Sequence, residues 1–219
     1  MIRILHHIMV RDHKIWSGSK ISFEAEHNSL FNDFIRAAYR FYNLDYPKFF
    51  KMDDLCKLGF VSSEVLLKNR PELSAVPRNR FAVVLSNSSS CLDSDLKFQQ
   101  TIRKRSEFFP SPAVFVYTLP NIMIGEICIR NGFMGENVFF ISEQPDFDNL
   151  SYWTNYYLDH DLADYVISGW VELHPELREN ETKHSEALLF LSGKADQDAD
   201  GLLPVHPDLM GKIYKSGPG

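Results

Sequence analysis

Six residues, FAVVLS (81–86), leave this chain little choice of fold class. Up to its closing serine the run is apolar at every position. A strand with one face in water alternates apolar and polar side chains, whereas a strand buried on both faces, as in a parallel sheet, does not. Further apolar runs of strand length stand at Val138 to Ile141, YVISGWVEL (165–173) and EALLFLS (186–192), and IRILHHIMV (2–10) is a candidate first strand. Helical patterns separate most of these runs, and strand–helix alternation predicts an α/β domain with helices on both faces of a mainly parallel sheet. The last two runs are joined by about a dozen polar residues without a helical pattern, so they are expected to pair antiparallel and make a five-stranded mixed sheet.

The helices follow from spacing. SLFNDFIRAAYRFY (29–42) places Leu30, Phe34, Ala37, Ala38 and Phe41 on one face, with Ser29 as the cap. Leu55, Leu58, Val61, Val65 and Leu66 recur at helical intervals within 52–68. A Pro-bearing stretch, 69–79, separates this helix from the FAVVLS strand. After that strand, SSSCLDSDLKFQQTIRK is a serine-rich loop running into a helix, and Asn121 to Asn131 is helical up to the stop at Gly132. Another helix is expected near 148–159. From Gly193 onward the chain is rich in Asp, Gly and Pro, which predicts a surface loop.

A length of 219 residues supports one substantial core, so a single domain over 1–219 is expected, with a loop-rich tail over 195–219. The net charge of −6 argues against a nucleic-acid surface, and the basic RKR at 103–105 is too short to reverse it. Cys56, Cys91 and Cys128 form no CxxC pair, which fits a reducing compartment and supports neither zinc nor disulfides. No apolar stretch approaches the ~20 residues of a membrane span, and the charged first dozen residues do not resemble a signal peptide, so a cytoplasmic location is expected.

The stretch GENVFFISEQPDFDNLSYW (135–153) is the strongest candidate for chemistry. A strand, a tight polar turn and a helix start form a geometry that enzymes use to hold a nucleophile. The turn reads Ser142, Glu143, Gln144, Pro145, Asp146. Other patterns weigh less. DQDADG (196–201) opens like a calcium loop through Asp196, Asp198 and Asp200, but its twelfth position is Pro207 instead of a bidentate Glu. DHDLAD (159–164) with His174 and His184 matches no ligand spacing. SNSSSC (86–91) lacks the glycines and lysine of a phosphate loop. His6 and His7 point to opposite faces of a strand and are expected to be structural. No cofactor is implied.

SPAVFVYTLPNIMIGEICIRNGFMGENVFFIS (111–142) resembles a segment of the β-ketoacyl-acyl-carrier-protein synthases, which have the thiolase fold. The matching positions are Ser111, Pro112, Phe115, Leu119, Pro120, Asn121, Gly125 and Gly135. KMDDLCKLGFVSSEVLL (51–67) is similar to that family's Asp-containing helix. ADYVISGWVEL (163–173) is similar to its A-D-x-x-[IV]-x-G-x-x-E strand, and HSEALLFLSGK (184–194) to its following antiparallel strand. The resemblance covers about 48–194, within the first half of the family's length.

The resemblance implies a cysteine nucleophile in the turn after the strand at 137–141. Ungapped counting from Gly135 puts Gln144 there, with Ser142 and Glu143 as neighbours, and no cysteine follows Cys128. An amide is not a nucleophile, and thioester chemistry needs a thiolate. The family's catalytic histidines and lysine belong to a second half that this chain does not resemble. The implied role is therefore that of a degenerate, chain-length-factor-like member, a non-catalytic helper of fatty-acid or polyketide elongation of the aryl-polyene type. The alternative is an acyl-carrier-protein-dependent decarboxylase or acyltransferase whose site another chain completes. A third possibility is a fold remnant acting as a scaffold. The implied partners are a second copy or a full-length ketosynthase, together with an acyl-carrier protein. The implied interface comprises the edge strand Asn137, Val138, Phe139, Phe140 and Ile141 with Trp153, Tyr156 and Tyr157, since a wide apolar face on that helix would be left open in a half-fold.

Overall fold

Phe81, Val83 and Leu85 pack into one hydrophobic core while Ala82 and Val84 pack into a second, which is why the run between them contains no polar side chain. A computed structural model describes residues 1–26, 29–104, 106, 108–175, 183–195 and 201–217. Its strands are β1 (Ile2–Arg11), β2 (Lys14–Ser17), β3 (Lys20–Glu24), β4 (Phe81–Asn87), β5 (Asn137–Ile141), β6 (Tyr165–His174), β7 (His184–Lys194) and β8 (Leu203–Pro204). The helices are α1 (Phe31–Phe41), α2 (Asp54–Leu67), α3 (Leu92–Ile102), α4 (Pro112–Phe115), α5 (Ile122–Asn131), α6 (Phe147–Asp159) and α7 (Pro207–Ser216).

The strands form one mixed sheet in the order β3-β2-β1-β7-β6-β4-β5, with β8 paired to β1. β5, β4 and β6 run parallel, and β6, β7 and β1 run antiparallel in turn. Helices α1, α2 and α5 cover one face; α6 and α7 cover the other. No helix among the described residues is long and apolar enough to cross a membrane.

Several expectations need correction. The sheet has eight strands where five were expected, because β2, β3 and β8 are short and partly polar. Helix α1 is rotated from its expected face. Phe31, Phe34, Ile35, Ala38 and Tyr39 are buried, whereas Leu30 and Phe41 are exposed. Ser29 does not cap it; Leu30 occupies that position, and the Ser29 hydroxyl pairs with His13 Nδ1 at 3.3 Å. The tail is more than a loop, since α7 packs Met210 into the core at 0% exposure. His6 and His7 are both half-buried, and His6 Nε2 lies 2.9 Å from Ser17 Oγ on β2.

Candidate functional site

The carboxyl ends of β5, β4 and β6 lie side by side at one end of the sheet, where open α/β sheets gather their functional groups. β5 stops at Ile141, and the next five residues lead into α6. The Ser142 N–H donates to the Asn87 carbonyl at 3.0 Å, tying this turn to the end of β4. The Ser142 hydroxyl donates to the Gln144 carbonyl at 2.9 Å, so it is not paired with a base. Asp146 caps α6, its carboxylate accepting from the Asn149 N–H at 2.9 Å. Glu143 and Gln144 are exposed.

The backbone of this turn is relaxed. Among the described residues, Asp12, His13, Asn43, Asn69, Ser90 and Asp161 are the non-glycine positions with positive φ, and none lies between Ser142 and Asp146. The turn therefore has the strand–turn–helix order of a nucleophile elbow without its strained kink. It opens onto a cleft of about 960 Å³ shared with α7, lined by Gln144, Glu143, Phe147, Lys212 and Tyr214 among others. The turn thus presents an exposed amide, a hydroxyl donating to a carbonyl and two carboxylates, and no thiolate.

The cysteines are poor substitutes. Burial pushes the Cys56 thiol well up, with Asp53 adding to the effect, and burial pushes Cys128 up to about 11. Cys91 is also raised by burial, and its thiol donates to the Thr118 carbonyl at 2.8 Å. A raised thiol pKa leaves little thiolate near neutral pH, and the thiolate is the nucleophile.

Two charged clusters brace this end of the molecule, and neither stands out in the sequence. Glu172, 2% exposed, accepts from the N–H groups of Ser88 (2.7 Å) and Leu173 (3.0 Å) and from the Ser88 hydroxyl (2.6 Å). It is the closing Glu of the 163–173 pattern, which was its only sequence signal. The second cluster joins α2, α3 and the residue before β7. Asp54 and Asp93, both buried, share Lys97 and Lys183, and Asp54 also pairs with Lys57. Its members are up to 129 positions apart in sequence, so spacing could not reveal it.

β5 is the outer strand of its edge, with Val138, Phe139 and Phe140 half-buried and Asn137 and Ile141 exposed. Trp153 is half-buried against Phe140, their rings 6.2 Å apart, and Tyr156 stacks on His160 at 4.2 Å. Tyr157 is only 7% exposed and is part of the core, so it is not available at a surface; Tyr152, 59% exposed, is. A further set of exposed apolar side chains was missed by sequence reasoning. Phe108, Phe109, Phe115, Val116 and Leu119 are all exposed in the connection between α3 and α5, with Phe109 at 78%. Its signal was the uncharged run FFPSPAVFVYTL (108–119). The calcium candidates Asp196, Asp198 and Asp200 lie outside the described residues. Among the described residues no group of His, Cys, Asp or Glu could hold a metal ion. In the 159–164 stretch, Arg80 instead pairs with Asp161 and Asp164, each at 2.6 Å.

No protein-family model and no curated protein matches the chain. Solved structures do. The ishigamide ketosynthase/chain length factor matches 93% of this chain at 15% identity with a TM-score of 0.60, and this chain covers 64% of it. A ketosynthase (ApeO) in complex with its chain length factor (ApeC) from Xenorhabdus doucetiae matches 80% of this chain and 74% of the matched chain, at 14% identity and a TM-score of 0.52. A β-ketoacyl synthase from Burkholderia phymatum STM815 matches 89% of this chain at 10% identity with a TM-score of 0.55, and 59% of that protein is covered. The chain thus spans less than two thirds of the first of these and has the thiolase-like fold that the resemblance implied.

Proposed function

We propose that the protein is a synthase-like subunit that assists acyl-chain elongation without itself performing condensation or decarboxylation. The observation that carries this reading is the turn after β5, which keeps its place at the carboxyl end of the sheet but presents an exposed Gln144 on a relaxed backbone. The similar structures support the reading, since two of them are named as chain length factors together with a ketosynthase. In the second, the shares of the two chains covered are nearly equal, so the matched chain is not much longer than this one.

The partner in this reading is a ketosynthase or a second copy, meeting the β5 edge and the exposed phenylalanines, with an acyl-carrier protein delivering the chain. An unpaired edge strand and a large apolar patch are the surfaces that proteins cover by association. Neither β5 nor the 108–119 run carries a charged residue that would repel a second copy. The pathway assigned is fatty-acid or polyketide elongation of the aryl-polyene type.

The test is incubation with malonyl- and acyl-carrier protein, followed by intact mass, peptide mapping of 142–146 and CO2 release. No adduct on the turn and no CO2 is the expected result, unchanged in Gln144→Ala. CO2 release, or an acyl group on the turn, would transfer the assignment to the decarboxylase or acyltransferase alternative.

A further inference from the structure

A second strand-to-helix turn, one strand in from the sheet edge, has the features that the turn after β5 lacks. β4 ends at Asn87 and α3 starts at Leu92, so Ser88 to Cys91 make the connection. Ser90 sits at φ +52°, a left-handed conformation that side chains with a Cβ disfavour. Asn87 holds it there, with Nδ2 donating to the Ser90 carbonyl at 2.8 Å and Oδ1 accepting from the Ser90 N–H at 2.9 Å. On the other side, the buried Glu172 accepts from Ser88 and from the Ser89 N–H, the latter at 3.3 Å. Ser89 is thus fixed through its neighbours on both sides. Strain that a surrounding network maintains is a marker of function.

The Ser89 side chain uses this rigid frame to meet a base. Its Oγ lies 2.7 Å from Nδ1 of His174, the last residue of β6. The His174 ring stacks on that of His184, the first residue of β7, with centroids 6.1 Å apart. Nδ1 accepts the hydroxyl proton in the tautomer that carries its own proton on Nε2. A half-buried serine on a strained strand-to-helix turn, bonded to an exposed imidazole, is the arrangement by which enzymes activate a hydroxyl.

We infer that Ser89 and His174 form a nucleophile–base pair that takes acyl groups from small esters or thioesters and passes them to water. Oγ attacks the acyl carbonyl carbon while its proton moves to His174 Nδ1. The carbon–oxygen or carbon–sulfur bond of the substrate breaks, and the leaving alkoxide or thiolate takes that proton. Water, deprotonated by His174, then attacks the acyl-serine; the Oγ–carbon bond breaks and Oγ recovers the proton. Ester and water become acid and alcohol (or thiol), with no other reactant. The pair is open to solvent, which makes it accessible to small, soluble acyl substrates. The inference does not depend on the elongation role, which concerns the turn at Gln144.

The test uses the full chain with a fluorophosphonate probe and with p-nitrophenyl acetate. One probe per chain, mapped to Ser89 by peptide mass spectrometry, is expected, together with steady ester hydrolysis. Ser89→Ala should abolish both. His174→Asn should slow labelling of Ser89 by at least about 100-fold, the lower range for loss of a positioned general base. Ser19→Ala, an exposed serine between β2 and β3, should match the wild type. Thermal melts establish that each variant is folded, and the wild-type map needs no variant. Labelling at another residue, equal hydrolysis in Ser89→Ala, or undiminished labelling in His174→Asn would overturn the inference and leave Ser89 as a staple for the loop.

Discussion

Replacing Asp54 with Asn separates charge from packing in the cluster that ties α2 to α3 and β7. The side chain is nearly isosteric, and the site is 3% exposed, so the change removes the charge and little else. Burial alone pushes the Asp54 carboxyl up, but the hydrogen bond from Lys183 and the charges of Lys57, Lys97 and Lys183 outweigh it and hold the group down at about 2. Measured from the ordinary 3.8, the depression is just under two pH units. At about 1.4 kcal/mol per unit, the charged form contributes roughly 2.5 kcal/mol to stability. The sign follows from the direction of the shift. The folded pKa lies below the unfolded one, so this stability is fully present above pH ~4 and disappears as pH falls through ~2. Urea unfolding of wild type and Asp54→Asn should therefore differ by roughly 2–3 kcal/mol at pH 7, and the gap should close steadily between about pH 4 and pH 2. A gap of the same size at pH 2.5 would refute the electrostatic account and assign the loss to packing. No gap at pH 7 would mean that the pairing of Lys97 and Lys183 with Asp93 is enough to hold the cluster.

Two glycines of the 111–142 segment should respond in opposite ways. A Cβ on Gly135 would stand 2.2 Å from the Phe81 carbonyl oxygen and 2.8 Å from that of Asn79, both backbone atoms, so Gly135→Ala should cost at least about 1–3 kcal/mol in a thermal or urea melt. Gly125 lies inside α5 with nothing within 4 Å of its Cβ position, so Gly125→Ala should stabilise by up to about 1 kcal/mol in the same assay. Met210→Ala should cost about 2–5 kcal/mol by urea unfolding if α7 belongs to the core, and almost nothing if it is a loose tail. Phe109→Glu with Phe115→Glu should leave the melting temperature within a few degrees of wild type while reducing association, measured by light scattering for a dimer or by co-purification with a ketosynthase; unchanged association would remove this surface from the interface.

How far each element could be anticipated depended on how many residues had to cooperate to form it. β4 through β7 were visible because a strand packed on two cores repeats apolar residues without interruption, as Phe81 to Leu85 do. Helix α2 was visible for the analogous reason, and its Asp53 cap, accepting from the Cys56 N–H at 2.9 Å, is a local signal. β2 and β3 were missed because Lys14–Ser17 and Lys20–Glu24 bury one residue between them, Ile15. For α7, the Asp, Gly and Pro content outweighed a weak pattern, although Pro207 at the first helical position is an ordinary start signal. At the candidate site, the turn at Gln144 was located from one contiguous stretch. Its relaxed backbone was not, since that depends on φ, and the Ser89–His174 contact joins residues 85 positions apart.

Helix α7 also bears on where the proposed partner could bind. Leu150, Trp153, Tyr156, Tyr157 and Leu158 go too far round α6 for the sheet alone to cover them, which made that helix the expected open face. The structure fills much of that face from within the chain. Met210 is buried in the same core cluster as Leu150 and Tyr157, and the Tyr214 ring lies 5.7 Å from that of Phe147. A polar clamp holds the helix down. Glu186 accepts from the Tyr214 hydroxyl at 2.7 Å and from Trp170 Nε1 at 3.1 Å, and the Arg11 guanidinium lies over the Tyr214 ring. Burial, reinforced by the Glu186 carboxylate, pushes that phenol up to about 12, so it remains a donor throughout the neutral range. A partner that required the whole α6 face would have to lift α7, break the clamp and expose Met210 before gaining any contact. A partner meeting β5 and the exposed phenylalanines would find an unpaired strand edge and an apolar surface that need no rearrangement. In the proposed reading, the lower cost of association therefore lies at the sheet edge.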